Sequence, residues 1–207
     1  MRVFRKIFEV GFVNFLVGCI KRVEYTVLFH KYGFDKWHVS PYEHRKYAIE
    51  TGKYISRFRP ELMVDIGCGL GDLLRHTKLA HTGKGFGYDL SESAIKVARK
   101  LSKSEKLNFQ KGSFASIHFE KSIDYLTALN FMHGSPEEKW KQQFDILLKQ
   151  NKIHHIVVDV FPEALEKGQY KLDFSKILPP NYEKKQKMGP FLGDKYIEIW
   201  SNRDMEN

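Results

Sequence analysis

Val64-Asp65-Ile66-Gly67-Cys68-Gly69-Leu70-Gly71-Asp72 is the stretch on which the fold turns. An apolar run ends in three alternating glycines, and a helical pattern begins straight after them. Glycine adopts backbone conformations closed to other residues and lets the main chain approach a ligand closely. A strand, glycine turn and helix in that order therefore mark the carboxyl edge of a parallel sheet. The spacing is G-x-G-x-G. A dinucleotide signature, G-x-G-x-x-G, would need its third glycine where Asp72 stands. No G-x-x-x-x-G-K-[ST] phosphate loop occurs in the chain.

Downstream of this turn, short apolar runs alternate with helical stretches. Strands are predicted at 62–66, 85–90, 107–110, 123–129 and 153–160, with helices running to about 79, to about 101, and over 136–149. That alternation predicts a parallel sheet with helices on both faces. The end of the chain differs. Runs at 182–188 and 195–200 flank Gly189-Pro190, which predicts an antiparallel hairpin turning at that dipeptide. Lys184, Lys185 and Lys187 read as charges that keep an edge strand from pairing with other chains. The second strand ends in Gly87-Tyr88-Asp89-Leu90-Ser91, with Asp89 20 residues after Gly69. A carboxylate at that tip can accept hydrogen bonds from both ribose hydroxyls of an adenosine. Ser91 is placed to cap the next helix.

These segments resemble the class I S-adenosylmethionine-dependent methyltransferases. Asp65-Ile66-Gly67-Cys68-Gly69-Leu70-Gly71 is similar to their first motif and Tyr88-Asp89-Leu90-Ser91 to their second. Gly112-Ser113-Phe114 stands where the family contacts the adenine amino group, with Ser113 in place of the common Asp. Leu126-Thr127-Ala128-Leu129-Asn130-Phe131-Met132-His133 is similar to the fourth motif. The resemblance spans about residues 60–200. It implies a Rossmann-like, doubly wound, mostly parallel seven-stranded sheet with an antiparallel C-terminal hairpin. It also implies S-adenosylmethionine as cofactor, a cytoplasmic setting, and cofactor contacts from Asp65, Gly67, Cys68, Gly69, Asp89, Leu90, Ser113, Phe114 and Asn130. Asp65 is read as orienting the glycine turn, with the cofactor's amino group as a second partner. Phe114 either packs an adenine face or belongs to the core. Cys68 contributes backbone rather than a reactive thiol, because no base stands near it.

Upstream, residues 1–59 read as an N-terminal helical segment added to the cofactor-binding domain at 60–207. Residues 1–32 are helical, in one or two pieces, and stop near Gly33. Residues 34–39 form a loop with Trp37 and His38. Ser40 then reads as an N-cap, with Pro41 at the first helical position and Glu43 completing a capping box, for a helix to about residue 58 that buries Tyr47, Tyr54, Ile55 and Phe58. Lys36-Trp37-His38-Val39-Ser40-Pro41-Tyr42-Glu43, with Arg45 and Tyr47, resembles the segment before the first motif in small methyltransferases of bacterial surface-polysaccharide gene clusters. That resemblance implies a small-molecule or saccharide acceptor, phosphorylated or lipid-linked. His38, His44 and Arg45 either line the acceptor site from this segment or belong to a solvated helix face.

His133 is the candidate catalytic group. It follows the fourth strand where an acceptor would enter, and an imidazole near neutral pH can take a hydroxyl proton. The other reading is a helix-leading surface histidine. His154 and His155 begin a strand at the opposite edge and read as structural. The role of Asp159 stays open. No H-x-x-x-H or His/carboxylate cluster suggests a metal. The two cysteines, Cys19 and Cys68, exclude a disulfide framework and a cysteine-rich zinc site.

The charge is uneven. The chain has 34 Lys and Arg against 25 Asp and Glu, yet residues 1–59 alone hold 12 against 5. The basic character therefore sits upstream and points to a phosphate-bearing acceptor or an anionic membrane surface. In residues 1–30, Arg2, Arg5, Lys6 and Glu9 share one helical face, and Glu9 and Asn14 interrupt the apolar run that a signal peptide would need. Such a helix either packs on the domain or lies on the inner face of a membrane. Two alternatives remain: an RNA or protein methyltransferase, and a non-catalytic S-adenosylmethionine-binding or membrane-associated protein. Against nucleic acid, Asn130-Phe131-Met132-His133 lacks the N/D-P-P-Y/F pattern of many base-amino methyltransferases, and no aromatic–basic platform is visible.

Overall fold

The computed structural model describes residues 2–161, 169–191 and 194–205. Seven strands form one sheet: β1 (Leu62–Ile66), β2 (Lys84–Asp89), β3 (Leu107–Lys111), β4 (Ile123–Ala128), β5 (Ile153–Val160), β6 (Tyr182–Phe191) and β7 (Lys195–Asn202). Their order is β3-β2-β1-β4-β5-β7-β6, parallel except for β7 and β6, which are antiparallel. The predicted fold class is the observed one. Chain order reverses between β1 and β4, which opens a crevice at their carboxyl ends. Every residue of β1 is buried, as a strand covered on both faces requires.

Alternate residues of the central strands feed two cores. Val64, Ile66, Ile156 and Val158 face a cluster with Trp140, Phe144 and Leu147 of helix α6 (Glu137–Gln150). Met63, Tyr125 and Val157 face the other side, against α3 (Lys46–Ser56), α4 (Asp72–His76) and α5 (Glu92–Leu101). Ser91 caps α5 as predicted, its Oγ accepting the Ala94 N–H at 3.3 Å. The helical start of the chain is two pieces, α1 (Arg2–Val10) and α2 (Phe12–Tyr32). Gly33 closes α2 in the left-handed conformation at φ 68°, donating its N–H to Phe29 O. Tyr25, Leu28 and Phe34 pack against Ala94 and Val97 of α5.

Four local expectations are corrected. The capping box at Ser40 and Glu43 does not form. A single 3-10 turn over Tyr42–His44 comes first, and α3 starts only at Lys46 with no side-chain cap. Tertiary contacts claim the residues the cap would have used: Tyr42 stacks on His76 at 4.1 Å, Glu43 faces His76 Nε2 at 3.5 Å, and His44 Nε2 pairs with Phe15 O at 3.0 Å. Phe58 lies beyond α3 and is exposed, with its ring 5.9 Å from that of Tyr125. Helix α4 ends at His76 rather than about 79, because Thr77 turns extended and Ser56 Oγ takes the Lys78 N–H at 2.9 Å. Lastly, Gly189-Pro190 is not the hairpin turn. Strand β6 runs through it to Phe191, with a register shift after Met188. Being an edge strand, β6 tolerates the missing proline N–H. The final helix, α7 (Phe174–Ile177), packs beside α6.

Candidate active site

The carboxyl ends of β1, β2 and β4 surround a cavity of about 690 Å³, within the range that holds a cofactor and a small ligand. The glycine loop forms its floor. Gly67, Gly69 and Gly71 all have positive φ, at 68°, 53° and 74°. The main-chain N–H groups of Gly67 and Cys68 both donate to Tyr88 O, at 2.7 and 3.0 Å, which ties the loop to the end of β2. The space beside these glycines is filled by protein rings. A Cβ on Gly67 would fall 2.6 Å from Phe131, and one on Gly69 would fall 2.5 Å from His38 Nδ1. Each glycine thus admits an aromatic ring as well as a backbone turn.

Asp89 stands at the lip of this loop. One carboxylate oxygen accepts the Gly69 N–H at 2.9 Å and the other the Ser91 N–H at 2.8 Å. A carboxylate has about four lone-pair sites, so two remain for a ligand. Asp65 lies deeper, buried, with the Thr127 hydroxyl donating to it at 2.5 Å. Burial pushes its carboxyl up to about 7, against the Thr127 hydrogen bond, with the Asp89 charge adding to the rise. Two carboxylates at different depths, with apolar Leu90 and Phe114 beside them, suit a ligand carrying a diol and a cationic group. Phe114 lines the cavity and also packs in the core against Trp140 and Phe144. Ser113 lines the cavity too, and its hydroxyl is engaged in a capping box with Ser116. Burial raises the Cys68 thiol, as an unreactive cysteine requires.

The far end of the cavity is lined by residues that follow β4, and Asp159 of β5 and Lys195 of β7 hold one of them from behind. Asn130 sits in the left-handed region at φ 70°. Its N–H donates to Asp159 Oδ1 at 2.8 Å, and its side-chain oxygen accepts from Lys195 Nζ at 2.6 Å. Lys195 is buried, paired with Asp159 at 2.8 Å, and rests 4.1 Å from the centre of the Tyr47 ring. The bond from Lys195 fixes which way the Asn130 amide points, with its oxygen toward the lysine and its N–H groups away from it. His133 is half-buried on the following 3-10 turn, edge-on to Phe161 at 5.0 Å. Burial holds its imidazole below the usual histidine range; Asp159 opposes this and Lys195 adds to it.

Of the upstream candidates, His38 and Arg45 line the cavity, though neither is free. His38 lies over Gly69 beside the Asp89 end, and burial holds its pKa down. Arg45 donates to Asp72 at 2.5 Å. Asp72, which appeared in the sequence only as a missing glycine, is a buried hub that also accepts from Arg75 and from the Tyr25 hydroxyl. It links α2, the segment before α3 and the glycine turn. Asp72 and Lys195 were the functional neighbours that sequence reasoning missed. Apart from Arg75, one helical turn from Asp72, their partners lie 27 to 65 positions away. His154 and His155 lie at the far edge of the sheet, where His155 Nδ1 meets Ser201 Oγ at 2.7 Å. Among the described residues no group of His, Cys, Asp and Glu could hold a metal.

Residues 63–151, from β1 through α6, match a family described as a methyltransferase domain. Among solved structures, the chain is similar to the magnesium protoporphyrin IX methyltransferase of Synechocystis with bound S-adenosylhomocysteine. The two share 14% identity over 90% of this chain and 98% of that one, with a TM-score of 0.64. It is also similar to the N-methyltransferase NodS of Bradyrhizobium japonicum (14% identity, 75% of this chain and 96% of that one, TM-score 0.60). A third is the pyocyanin biosynthetic protein PhzM (13%, 80% and 57%, TM-score 0.59). At these identities the likeness is one of fold. No curated protein matches the sequence.

Proposed function

We propose that this class I S-adenosylmethionine-dependent methyltransferase transfers its methyl group to a hydroxyl or amine of a small acceptor, a saccharide or its phosphorylated or lipid-linked precursor. The carrying observation is the single cavity that joins the Asp89 lip to the Asn130 and His133 end. One chamber of that size suits a cofactor with a small acceptor better than a polymer. The basic N-terminal segment, whose Trp37 reaches the cavity wall, supports an anionic acceptor.

When bound, S-adenosylmethionine supplies an already activated methyl group, so the protein's work is to hold and align. On this reading Asp89 accepts from the ribose hydroxyls, while Ser113, Phe114 and Leu90 border the adenine. Gly67, Cys68 and Gly69 shape the floor through their backbone, and Asp65 faces the ammonium. Asn130, fixed by Asp159 and Lys195, turns N–H donors toward the reacting end. His133, neutral at pH 7, takes the proton of an acceptor hydroxyl. His38 and Arg45 border the acceptor from the N-terminal segment, held by contacts with Gly69 and Asp72.

Two outcomes are expected. His133→Ala should lower turnover on a hydroxyl acceptor by about 10²-fold or more, with cofactor affinity unchanged. Unchanged turnover would remove His133 as the base. Because Asp65 must be ionised to hold an ammonium, affinity for S-adenosylhomocysteine should rise with pH. With a carboxyl at about 7, the ionised fraction climbs from about one tenth at pH 6 to about nine tenths at pH 8. The apparent affinity should then rise close to tenfold. Calorimetry across that range that gave a flat profile for wild type would reject this role, and Asp65→Asn should abolish the dependence. The acceptor class is tested by labelled methyl transfer to sugar phosphates, nucleotide-linked sugars and small amines, against RNA and protein. Transfer to the macromolecules alone would overturn it.

A further inference from the structure

The helix α2 is apolar on two sides. Its inward side is explained by packing: Tyr25 and Leu28 are buried, and Gly18 is so close to His44 that a Cβ would fall 2.2 Å from that ring. The outward side is not. Phe12, Leu16, Ile20, Val23 and Val27 are spaced by four, four, three and four residues, which aligns them in one stripe, and all five are exposed. The adjoining helix α1 exposes two more large apolar side chains, Phe4 and Phe8, the latter 87% exposed. Single exposed apolar residues are ordinary, but an aligned stripe of five with two more on the next helix marks a surface with a partner.

We propose that this face of α1 and α2 docks on an anionic lipid bilayer, lying in the plane of the interface. The charge around it selects this occupant. The two acids on these helices are each paired with a lysine, Glu9 with Lys6 at 2.8 Å and Glu24 with Lys21 at 3.0 Å. Arg5, Arg22 and Lys31 are exposed and have no carboxylate partner among the described residues. A second copy of the chain would set this excess of positive charge against itself, whereas anionic headgroups complement it. The helices lie on the surface rather than span it: no helix among the described residues is long and apolar enough to cross a membrane. Docking also involves the cavity. Arg22, Thr26 and His30, on the flank of the stripe, share a groove with Trp37, which is 66% exposed and also lines the cavity. A tryptophan is well suited to that depth, with an apolar ring and a polar N–H. The docked face therefore brings the rim of the cavity to the headgroups, where a lipid-borne acceptor would meet it. This last step alone rests on the methyltransferase reading.

The test is co-sedimentation of the full chain with vesicles of phosphatidylcholine mixed with phosphatidylserine, and with phosphatidylcholine alone. Wild type should bind the anionic vesicles, with salt weakening the association. Phe8→Ser combined with Ile20→Ser and Val27→Ser should reduce partitioning by at least about tenfold, since each removes apolar surface that would leave water. Arg5→Gln with Arg22→Gln and Lys31→Gln should lower the preference for anionic vesicles by about fivefold per charge. All six side chains are exposed, so melting temperature and S-adenosylhomocysteine affinity should stay at wild-type values in both variants. Those two readings keep a failed fold, or a failed cofactor assignment, apart from a failed docking face. Equal vesicle binding by wild type and the apolar variant would overturn the proposal. So would a wild-type dimer in light scattering that ignores vesicles and dissociates on the apolar substitutions.

Discussion

Asp89→Ala is expected to weaken S-adenosylhomocysteine binding by about two orders of magnitude or more. Hydrogen bonds to a charged group contribute about 1.5–3 kcal/mol each, and on our reading two ribose hydroxyls donate to this carboxylate. The loss would be about 3 kcal/mol at the low end, a factor of more than 10² in affinity. The carboxylate also holds the floor of the cavity, because its oxygens accept the Gly69 and Ser91 N–H groups. Alanine therefore removes ligand contacts and loosens the loop together. Asp89→Asn separates the two effects, since its remaining oxygen can still accept one of those N–H groups. It should sit between alanine and wild type in calorimetry, with melting unchanged. Binding by Asp89→Ala within about threefold of wild type would show that the ribose anchor lies elsewhere.

Asp72→Ala should produce the largest loss of stability among these substitutions. Its carboxylate side chain is 6% exposed and carries two guanidinium groups, Arg45 at 2.5 Å and Arg75, besides the Tyr25 hydroxyl at 2.6 Å. Removing the acid leaves positive charge in a largely buried site with nothing to balance it, which costs about 3–5 kcal/mol for a buried pair. For a chain of this size that corresponds to a fall in melting temperature of roughly 6–12 °C at the lower figure, read by calorimetry or circular dichroism. The damage should be directional. Tyr25 belongs to α2 and Arg45 to the segment before α3, so both lose their tie to the glycine turn and proteolysis should increase near residues 33–45. Asp72→Asn keeps the shape and one acceptor, and should cost less. As a contrast, breaking the exposed Lys121–Glu61 pair should leave the melting curve on that of wild type. A melting curve for Asp72→Ala that overlays wild type would mean the hub is not what holds α2 in place.

The readable parts of this protein share one property: their causes lie within a few residues. Three glycines between an apolar run and a helical pattern announce the loop, and each adopts the positive φ that only glycine takes at low cost. The Ser91 cap is a contact over three positions, and it formed. The alternation of strands and helices survives because burial on both faces of the sheet demands it. Where local and distant forces compete, the local signal fails. Ser40, Pro41 and Glu43 spell a helix start, yet stacking and hydrogen bonding to His76 and Phe15 outweigh one capping interaction of about 1 kcal/mol. Gly189-Pro190 spells a turn, yet an edge strand accepts both residues and carries on.

By itself, then, the sequence determined the doubly wound sheet, its glycine loop, and the carboxylate at the tip of the second strand. Those features follow from backbone freedom and from hydrophobic periodicity, which are written locally. Only the tertiary structure decided that Asp72 is a hub rather than a lapse in a motif, that Lys195 orients Asn130, and that His38 lies over Gly69. It also showed which apolar side of α2 is left facing outward. Each of these depends on how strands register and which helix faces meet. A pair such as Asn130 and Lys195, 65 positions apart, exists only because β5 pairs with both β4 and β7, which brings the end of β4 and the start of β7 to the same edge of the sheet.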